Sequence, residues 1–437
     1  MHLYLLPILF VLAGLALYVV LGGADFGAGL WQLATLASPR REEEAEERAE
    51  RIREHAHHAM GPVWEANHVW LVFVLTVTWT AYPQAFGAIA STLAAPLLLA
   101  ALGVVARGAA YALRAGGRDR RELARIDTIF ALASLLTPFA LGATLGAIVS
   151  ERVPPGNAAG QLFSSWLTPT SLLVGVLAVA LSAYLAAVYL AADAAREGQA
   201  ELVEAFRVRA LLAAAVAGAL AVAGLFVLHG DAHRVYHRLL DGPGLAGLAV
   251  SVAAGLATVG LVLARRFEAA RGSAALAVSG MVAGWALAQQ PYVLHGLTLR
   301  AAAAPHETLV LVVVATIAGA TILFPSLGLL FGLTLRGRFD TGAEHRAPSE
   351  APARSDGRAQ GALSPLRAGL RTRLALAALL AGVGLLTVAE APWAHGVGVA
   401  CLFAAMIVGF LALDPARLAA GAPGAGEESA GGPPGGG

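Results

Sequence analysis

The sequence contains no lysine and only one cysteine, Cys401, and just 14% of its 437 residues are charged. A lone cysteine excludes an intramolecular disulfide framework and a cysteine-rich zinc or iron–sulfur site. The lack of lysine excludes a lysine Schiff base and the lysine of a phosphate-binding P-loop. A soluble domain carries about 25% charged residues. Charge this sparse therefore cannot cover the surface of a water-soluble protein of this length.

Apolar residues make up 57% of the chain, and the mean hydropathy is +0.68. A helix needs about 20 apolar residues to cross about 30 Å of hydrocarbon. Segments that meet this requirement lie near residues 3–23, 63–80, 84–106, 128–149, 168–191, 210–228, 245–264, 273–293, 307–335, 373–389 and 394–413. The sequence therefore predicts an all-α, polytopic membrane protein. A formal net charge of +1 gives no strong field to attract nucleic acid.

The loops between these segments alternate in arginine content. The loops after the first, third, fifth and seventh segments hold 17 arginines, whereas the intervening loops hold four. Because short cytoplasmic loops are enriched in arginine, we expect an external N-terminus and a cytoplasmic C-terminus. The first segment has no basic region before it and no convincing cleavage site after it, so we expect it to be retained.

The composition divides the chain into four regions. Residues 1–338 hold nine apolar segments and form the predicted membrane body. Residues 339–366 are rich in Arg, Ser, Pro, Glu and Gly without periodicity, which predicts a cytoplasmic linker. Residues 367–415 hold the last two apolar segments and form a predicted two-helix appendage. Residues 416–437 are rich in Gly, Ala and Pro, which predicts a disordered tail.

Few ionisable residues lie within the apolar segments, and most occur at the ends predicted to face the cytoplasm. Asp25 lies at the end of the first segment, and Glu65 and His68 lie at the start of the second. Arg107 closes the third segment, and Asp127 opens the fourth. An ionised group at mid-bilayer costs about 2.5–3.5 kcal/mol on insertion scales. Such a cluster favours either a proton uptake path or an ion-pair network in which Arg107 neutralises one carboxylate.

The histidines give little support for a bound heme or metal. Among the 12 histidines, only His68 lies within a predicted span and away from the exposed loops. A bis-histidine heme needs two facing ligands, so we expect none in this chain. His55, His57 and His58 are expected at the surface.

A second group of histidines, His229, His233 and His237, is spaced by four residues in the loop after the sixth segment. This spacing places them on one face of a helix, an arrangement that permits a metal site. Two arginines and an aspartate are interleaved with them, which favours a solvated polar helix. No Ser-His-Asp order, HExxH or nucleotide-binding fingerprint is present.

The run Gly61–Val72 reads Gly-Pro-Val-Trp-Glu-Ala-Asn-His-Val-Trp-Leu-Val. It resembles the Trp-Asp-Gly-Asn-Glu/Gln-Val-Trp-Leu motif of subunit II of cytochrome bd-type quinol oxidases. Other stretches similar to that family follow in its order and spacing, at Gly23–Gly29, Ala81–Pro83, Arg107–Arg114, Asp127 and Gly142–Gly146. The similarity is good to about residue 150 and thins to residue 338. Nine helices with an external N-terminus is also the topology of the family.

Several positions depart from the family's pattern. Glu65 and Ala66 stand where Asp-Gly is usual, His68 replaces a Glu or Gln, and Gly22 stands where many members have an Asp. The exchange at Glu65 keeps a carboxylate, so proton handling is expected to survive there. The loss at Gly22 removes a second acidic site.

The resemblance implies a subunit without an active site of its own. In that family, subunit I binds hemes b and d and the quinol, and subunit II packs beside it and contributes a hydrophilic path from the cytoplasm. This chain is therefore expected to bind no heme, metal or nucleic acid, and to lie among lipids, the quinol pool, subunit I and small single-helix subunits. The proton-path candidates are Asp25, Glu65, His68 and Asp127. The structural or ion-pair candidates are Trp64, Asn67, Trp70, Arg107 and Arg114.

Two other functions fit the same composition. A secondary transporter would have a binding site at mid-membrane, broken helices and an internal repeat, and no convincing repeat is found. A purely structural subunit of a membrane complex would use the same polar residues only as an ion-pair network.

Overall fold

A computed structural model describes residues 2–36, 43–114, 120–334, 370–389 and 391–412. These residues are overwhelmingly helical, which confirms the all-α class, and they include one antiparallel hairpin of β1 (Tyr292–Leu294) and β2 (Leu297–Thr298). The helices are α1 (Leu6–Leu36), α2 (Glu43–Ala81), α3 (Pro83–Thr92), α4 (Ala94–Arg114), α5 (Arg120–Val149), α6 (Pro169–Arg196), α7 (Ala200–Asp231), α8 (His233–Leu240), α9 (Gly244–Leu263), α10 (Phe267–Gln289), α11 (Leu299–Ala302), α12 (His306–Thr334), α13 (Leu370–Val388) and α14 (Pro392–Ala412). A short 3-10 turn, Leu3–Leu5, precedes α1.

Helices dominate because a backbone in hydrocarbon must satisfy its own hydrogen bonds. Within the described residues, six helices are long and apolar enough to cross a membrane by length and composition. They are Leu3–Ala34, Ala94–Arg114, Glu122–Val149, Pro169–Arg196, Ala200–Asp231 and Gly244–Leu263. Each apolar segment predicted from the sequence overlaps a helix. The number of nine crossing helices in the body stays a prediction.

Two helix boundaries differ from the sequence-based expectation. The apolar segment predicted near residues 63–80 does not begin a helix of its own, because α2 runs from Glu43 through Pro62 to Ala81. One proline removes one backbone hydrogen bond, and buried Ile52 and Asn67 hold the helix in place on either side. Conversely, the span at 84–106 is interrupted between α3 and α4. Pro96 cannot donate to the carbonyl of Thr92, and α3 ends at that residue.

The residues Tyr4–Leu309 form one compact unit. Within it, α6 packs against α1, α5 and α7, and its residues Ala186 and Leu190 are fully buried. Glycines permit the closest approaches between these helices. A Cβ atom added at Gly27 of α1 would clash with Ser182 of α6, and one at Gly146 of α5 would lie 2.9 Å from the Thr170 carbonyl. The body is therefore built on backbone contacts that side chains would prevent.

Among the described residues, the second unit contains the start of the chain up to Leu3 and the residues from Val310 onward. Within it, α13 and α14 pack against each other, and a Cβ atom at Gly382 would lie 2.8 Å from the Gly398 carbonyl. The predicted linker 339–366 and the predicted tail 416–437 lie outside the described residues. The four predicted regions therefore stay predictions.

Candidate functional site

A buried ion pair joins Asp25 of α1 to Arg107 of α4. Each side chain is 1% exposed. Nη2 of Arg107 contacts Oδ1 of Asp25 and also donates to the backbone carbonyl of Asp25 at 2.9 Å. Two charges this deeply buried are tolerated only when they compensate each other and their remaining hydrogen-bonding positions are filled. The pair is thus two buried charges that compensate each other.

Two further helices supply partners to the pair. Nδ2 of Asn67, on α2, donates to Oδ2 of Asp25 at 3.0 Å. On α5, Oγ of Ser134 accepts from Nη1 of Arg107 and donates to the carbonyl of Phe130 at 2.7 Å. Asn67 and Ser134 are both fully buried. We refer to Asp25, Asn67, Arg107 and Ser134 as the Asp25 cluster; it connects α1, α2, α4 and α5.

Aromatic and small residues make room for the guanidinium group. The centre of that group lies 4.9 Å from the ring of Phe26 and 4.2 Å from the ring of Phe130, within cation–π distance. Gly29, one turn after Asp25, leaves the remaining space, since a Cβ there would lie 3.2 Å from Nη1 of Arg107. The Gly-rich end of the first apolar segment is therefore needed to admit a charge from α4.

Three buried polar atoms at or beside the Asp25 cluster have no hydrogen-bond partner among the described residues: Oδ1 of Asn67, Nε of Arg107 and the hydroxyl of Tyr18. Tyr18 lies seven residues before Asp25, two helical turns away on the same face of α1. Sequence reasoning missed Tyr18 and Ser134. The seven-residue spacing between Tyr18 and Asp25 was the available signal for Tyr18. Ser134 could not be found from the sequence, because the rotation of α5 about its axis decides which of its residues face Arg107.

The remaining proton-path candidates lie at different places. His68 directly follows Asn67 on α2 and is partly buried. Glu65 and Trp64 also belong to α2, but their side chains lie outside the described residues. On the same helix, Trp70 packs edge-to-face on Phe73, with 6.1 Å between ring centroids.

Asp127 is not part of the Asp25 cluster. It pairs with Arg114, and these side chains are 16% and 33% exposed. Arg114 lies seven residues after Arg107, and Asp127 lies seven residues before Ser134, so this second ion pair lies about 10.5 Å along the same α4–α5 interface. The ionisable residues thus form two separate layers rather than one cluster.

The expectation that His55 is a surface residue was wrong. His55 is buried between α2, α6 and α7: Nε2 is 3.2 Å from the Leu190 carbonyl, and its ring lies 5.8 Å from that of Phe206. Nδ1 faces Glu197 at 3.3 Å. The polar part of α2 therefore has one packed face. The side chains of His57 and His58 lie outside the described residues.

Metal ligands do not gather in this part of the chain. Among the described residues, no group of three or more His, Cys, Asp or Glu side chains is placed to hold a metal ion. The Asp25 cluster itself presents a cation, Arg107, where a metal ion would otherwise compensate Asp25. Its chemistry is that of fixed charges and hydrogen bonds.

Comparison with known proteins agrees with the resemblance found in the sequence. Cytochrome bd ubiquinol oxidase subunit 2 of Bacillus subtilis (strain 168) is 31% identical over 84 residues, which are 19% of this chain and 25% of that protein. The match thus spans about a quarter of the length of this relative. The structure of the bd oxidase from Geobacillus thermodenitrificans matches with a TM-score of 0.59 and 25% identity, over 77% of this chain and 99% of the matched chain.

The family comparison extends over most of the chain. The family described as cytochrome bd terminal oxidase subunit II matches residues 3–334. That range contains the Asp25 cluster, the Asp127–Arg114 pair and every helix from α1 to α12. The chain is therefore a membrane protein that belongs to the cytochrome bd terminal oxidase subunit II family.

Proposed function

We propose that this chain is the non-heme-binding subunit of a quinol:oxygen oxidoreductase in the plasma membrane. It pairs with the heme-bearing subunit I and supplies part of the path along which cytoplasmic protons reach the site where O₂ is reduced to water. Family membership supports the role as a subunit. The observation that carries the proton path is the Asp25 cluster with His68 beside it, because buried polar groups inside apolar helices are costly and mark ion or proton pathways.

Within this path, Asp25 and Arg107 act as a fixed pair rather than as carriers. The carboxylate of Asp25 already accepts from Arg107 and Asn67, so a proton arriving there would have to break the ion pair. Glu65 and His68 lie three residues apart on α2, on the same face of the helix. An imidazole exchanges protons near neutral pH. We therefore assign proton transfer to Glu65 and His68, and the electrostatic boundary of the path to Asp25 and Arg107.

The partnership is tested by purifying the complex from its native membrane through this chain. A heme-bearing partner and quinol-dependent O₂ consumption are expected. A complex without heme would contradict the proposal. If the complex contains heme but substitutions at Glu65 and His68 leave its turnover unchanged, this chain is a purely structural subunit. Family membership removes the support for the transporter alternative.

Expressed alone, the chain is expected to bind no heme. The nine predicted spans of the body offer one histidine, His68, away from the loops, and His55 of α2 is already engaged by the Leu190 carbonyl and Glu197. The measurement is a pyridine hemochrome spectrum of the isolated subunit against the intact complex. Stoichiometric heme in the isolated subunit would show that this chain carries a heme site of its own.

Ending the chain at about residue 340 is expected to leave assembly and turnover unchanged. The family match ends at residue 334, and α12 ends at Thr334. The linker 339–366 and the two-helix appendage would then be additions that O₂ reduction does not need. The check compares O₂ consumption per heme of truncated and full-length complexes. A truncated complex that assembles normally but turns over slowly would give the appendage a part in the reaction.

A further inference from the structure

Three histidines line one exposed edge of the chain where α7 ends and α8 begins. His229, His233 and His237 follow each other at intervals of four residues and are all exposed. The ring centroids of His233 and His237 are 4.4 Å apart, and those of His229 and His233 are 5.3 Å apart. This group lies outside the Asp25 cluster and takes no part in the proposed proton path.

The outer nitrogens of two of these rings are already engaged. Nδ1 of His233 lies 3.1 Å from the carbonyl oxygen of His229, and Nδ1 of His237 lies 3.1 Å from Oδ2 of Asp241. A carbonyl or carboxylate oxygen only accepts, so both Nδ1 atoms must carry the proton and donate it. In the neutral rings, both Nε2 atoms therefore carry a lone pair.

These two nitrogens lie next to each other. The Nε2 atoms of His233 and His237 are 3.1 Å apart. Two acceptors at that distance repel each other unless a cation lies between them or beside them. In a tetrahedral zinc site with Zn–N bonds of about 2.0–2.1 Å, two ligand nitrogens are about 3.3 Å apart. The observed separation thus fits two imidazoles that share one metal ion.

The positive charges interleaved in the sequence do not occupy this edge. Arg234 contacts Glu151 and lies against Gln289, and Nε of Arg238 donates to the carbonyl of Ala288 at 2.9 Å. Both arginines are thus engaged by the end of α10, and Arg234 also by Glu151. The sequence alone could not separate them from the histidines, because helical rotation decides which face each residue takes.

We propose that His233 and His237 bind one divalent transition-metal ion, of the class of Zn²⁺, through their Nε2 atoms. Asp241 and the His229 carbonyl orient the two rings, the arrangement that outer partners of metal-bound imidazoles usually adopt. No third His, Cys, Asp or Glu ligand joins them among the described residues, so solvent completes the coordination. Because only two ligands from one short helix hold the ion, we expect weak binding, in the micromolar range. The bound ion would stabilise α8 by linking two of its turns.

The test is a Zn²⁺ titration of the full-length chain, purified without a polyhistidine tag, by competition with a chromophoric chelator. We expect one ion whose affinity falls at least tenfold in the double variant His233→Ala/His237→Ala, and about tenfold in Asp241→Asn, the lower end for losing an outer partner. His306→Ala, an exposed histidine at the start of α12, is the matched control and should change nothing.

Electron paramagnetic resonance with Cu²⁺ in place of Zn²⁺ gives a second readout. The wild type should show coupling to two imidazole nitrogens, and the double variant should lose it. If the wild type binds no more Zn²⁺ than the double variant, the two rings share only a proton and the proposal is wrong. Because neither measurement depends on oxidase activity, this outcome is separate from that of the proposed function.

Discussion

Replacing Arg107 with methionine is expected to lower the free energy of unfolding of the membrane body by about 3–5 kcal/mol, the cost of leaving a buried charge without its partner. Methionine replaces the unbranched stem of arginine but lacks the guanidinium group, so the main loss is the positive charge beside Asp25. Asn67 and Ser134 would remain, but neither can neutralise the carboxylate. Denaturation in mixed micelles and the yield of assembled complex both measure the effect.

The second ion pair along α4 provides the matched control. Arg114→Met removes the partner of Asp127, where the two side chains are 33% and 16% exposed. Because solvent reaches this pair, the loss should be within the 0–1 kcal/mol that is usual for such contacts. Equal losses for the Arg107 and Arg114 variants would mean that burial does not set the strength of the first pair.

A double variant separates charge from shape. Asp25→Asn combined with Arg107→Met leaves no uncompensated charge, so it should be more stable than Arg107→Met alone. Losses in stability that simply add would show that Asp25 and Arg107 are not energetically coupled.

The double variant also lacks the carboxylate, so its turnover tests the assignment of Asp25 as a fixed group. We expect its turnover per assembled heme to fall less than that of Glu65→Gln.

The fold was largely predictable from the sequence because a chain that crosses the hydrocarbon of a membrane must satisfy its backbone hydrogen bonds internally. Segments of about 20 apolar residues must be helical, and each predicted segment does overlap a helix. The break at Leu93 was not predicted: it interrupts the segment expected at 84–106, because Pro96 removes the hydrogen bond that would carry α3 into α4. The continuity of α2 through Pro62 was not predicted either, because a proline inside a helix usually ends or kinks it.

The site was only partly predictable. Composition identified Asp25, Arg107 and Asp127 as costly residues at related positions, but it could not say which acid Arg107 would meet. The pairing depends on the rotation and offset of α1, α4 and α5, which place Asp25 with Arg107 and Asp127 with Arg114. The burial of His55 depends in the same way on which face of α2 meets α6 and α7.

Replacing Glu65 with glutamine is expected to slow quinol-dependent O₂ consumption about tenfold or more, the lower range for losing a positioned proton-transfer group. Glutamine keeps the size and hydrogen-bonding capacity of the side chain but cannot carry a proton. Glu65 lies on α2, one turn before His68 and two residues before Asn67, whose amide holds Asp25. The measurement is turnover per heme in the assembled complex.

Three variants decide what Glu65 does. Glu65→Asp keeps a carboxylate, so its turnover should stay near the wild-type rate. Glu54→Gln makes the same chemical change at an exposed position earlier on α2 and should also leave the rate intact. If Glu65→Gln instead loses heme and assembly while Glu54→Gln does not, the carboxylate acts as a structural pin. If Glu65→Gln turns over at the wild-type rate with normal heme content, protons reach the oxygen-reducing site by another route, and the assignment of Glu65 fails.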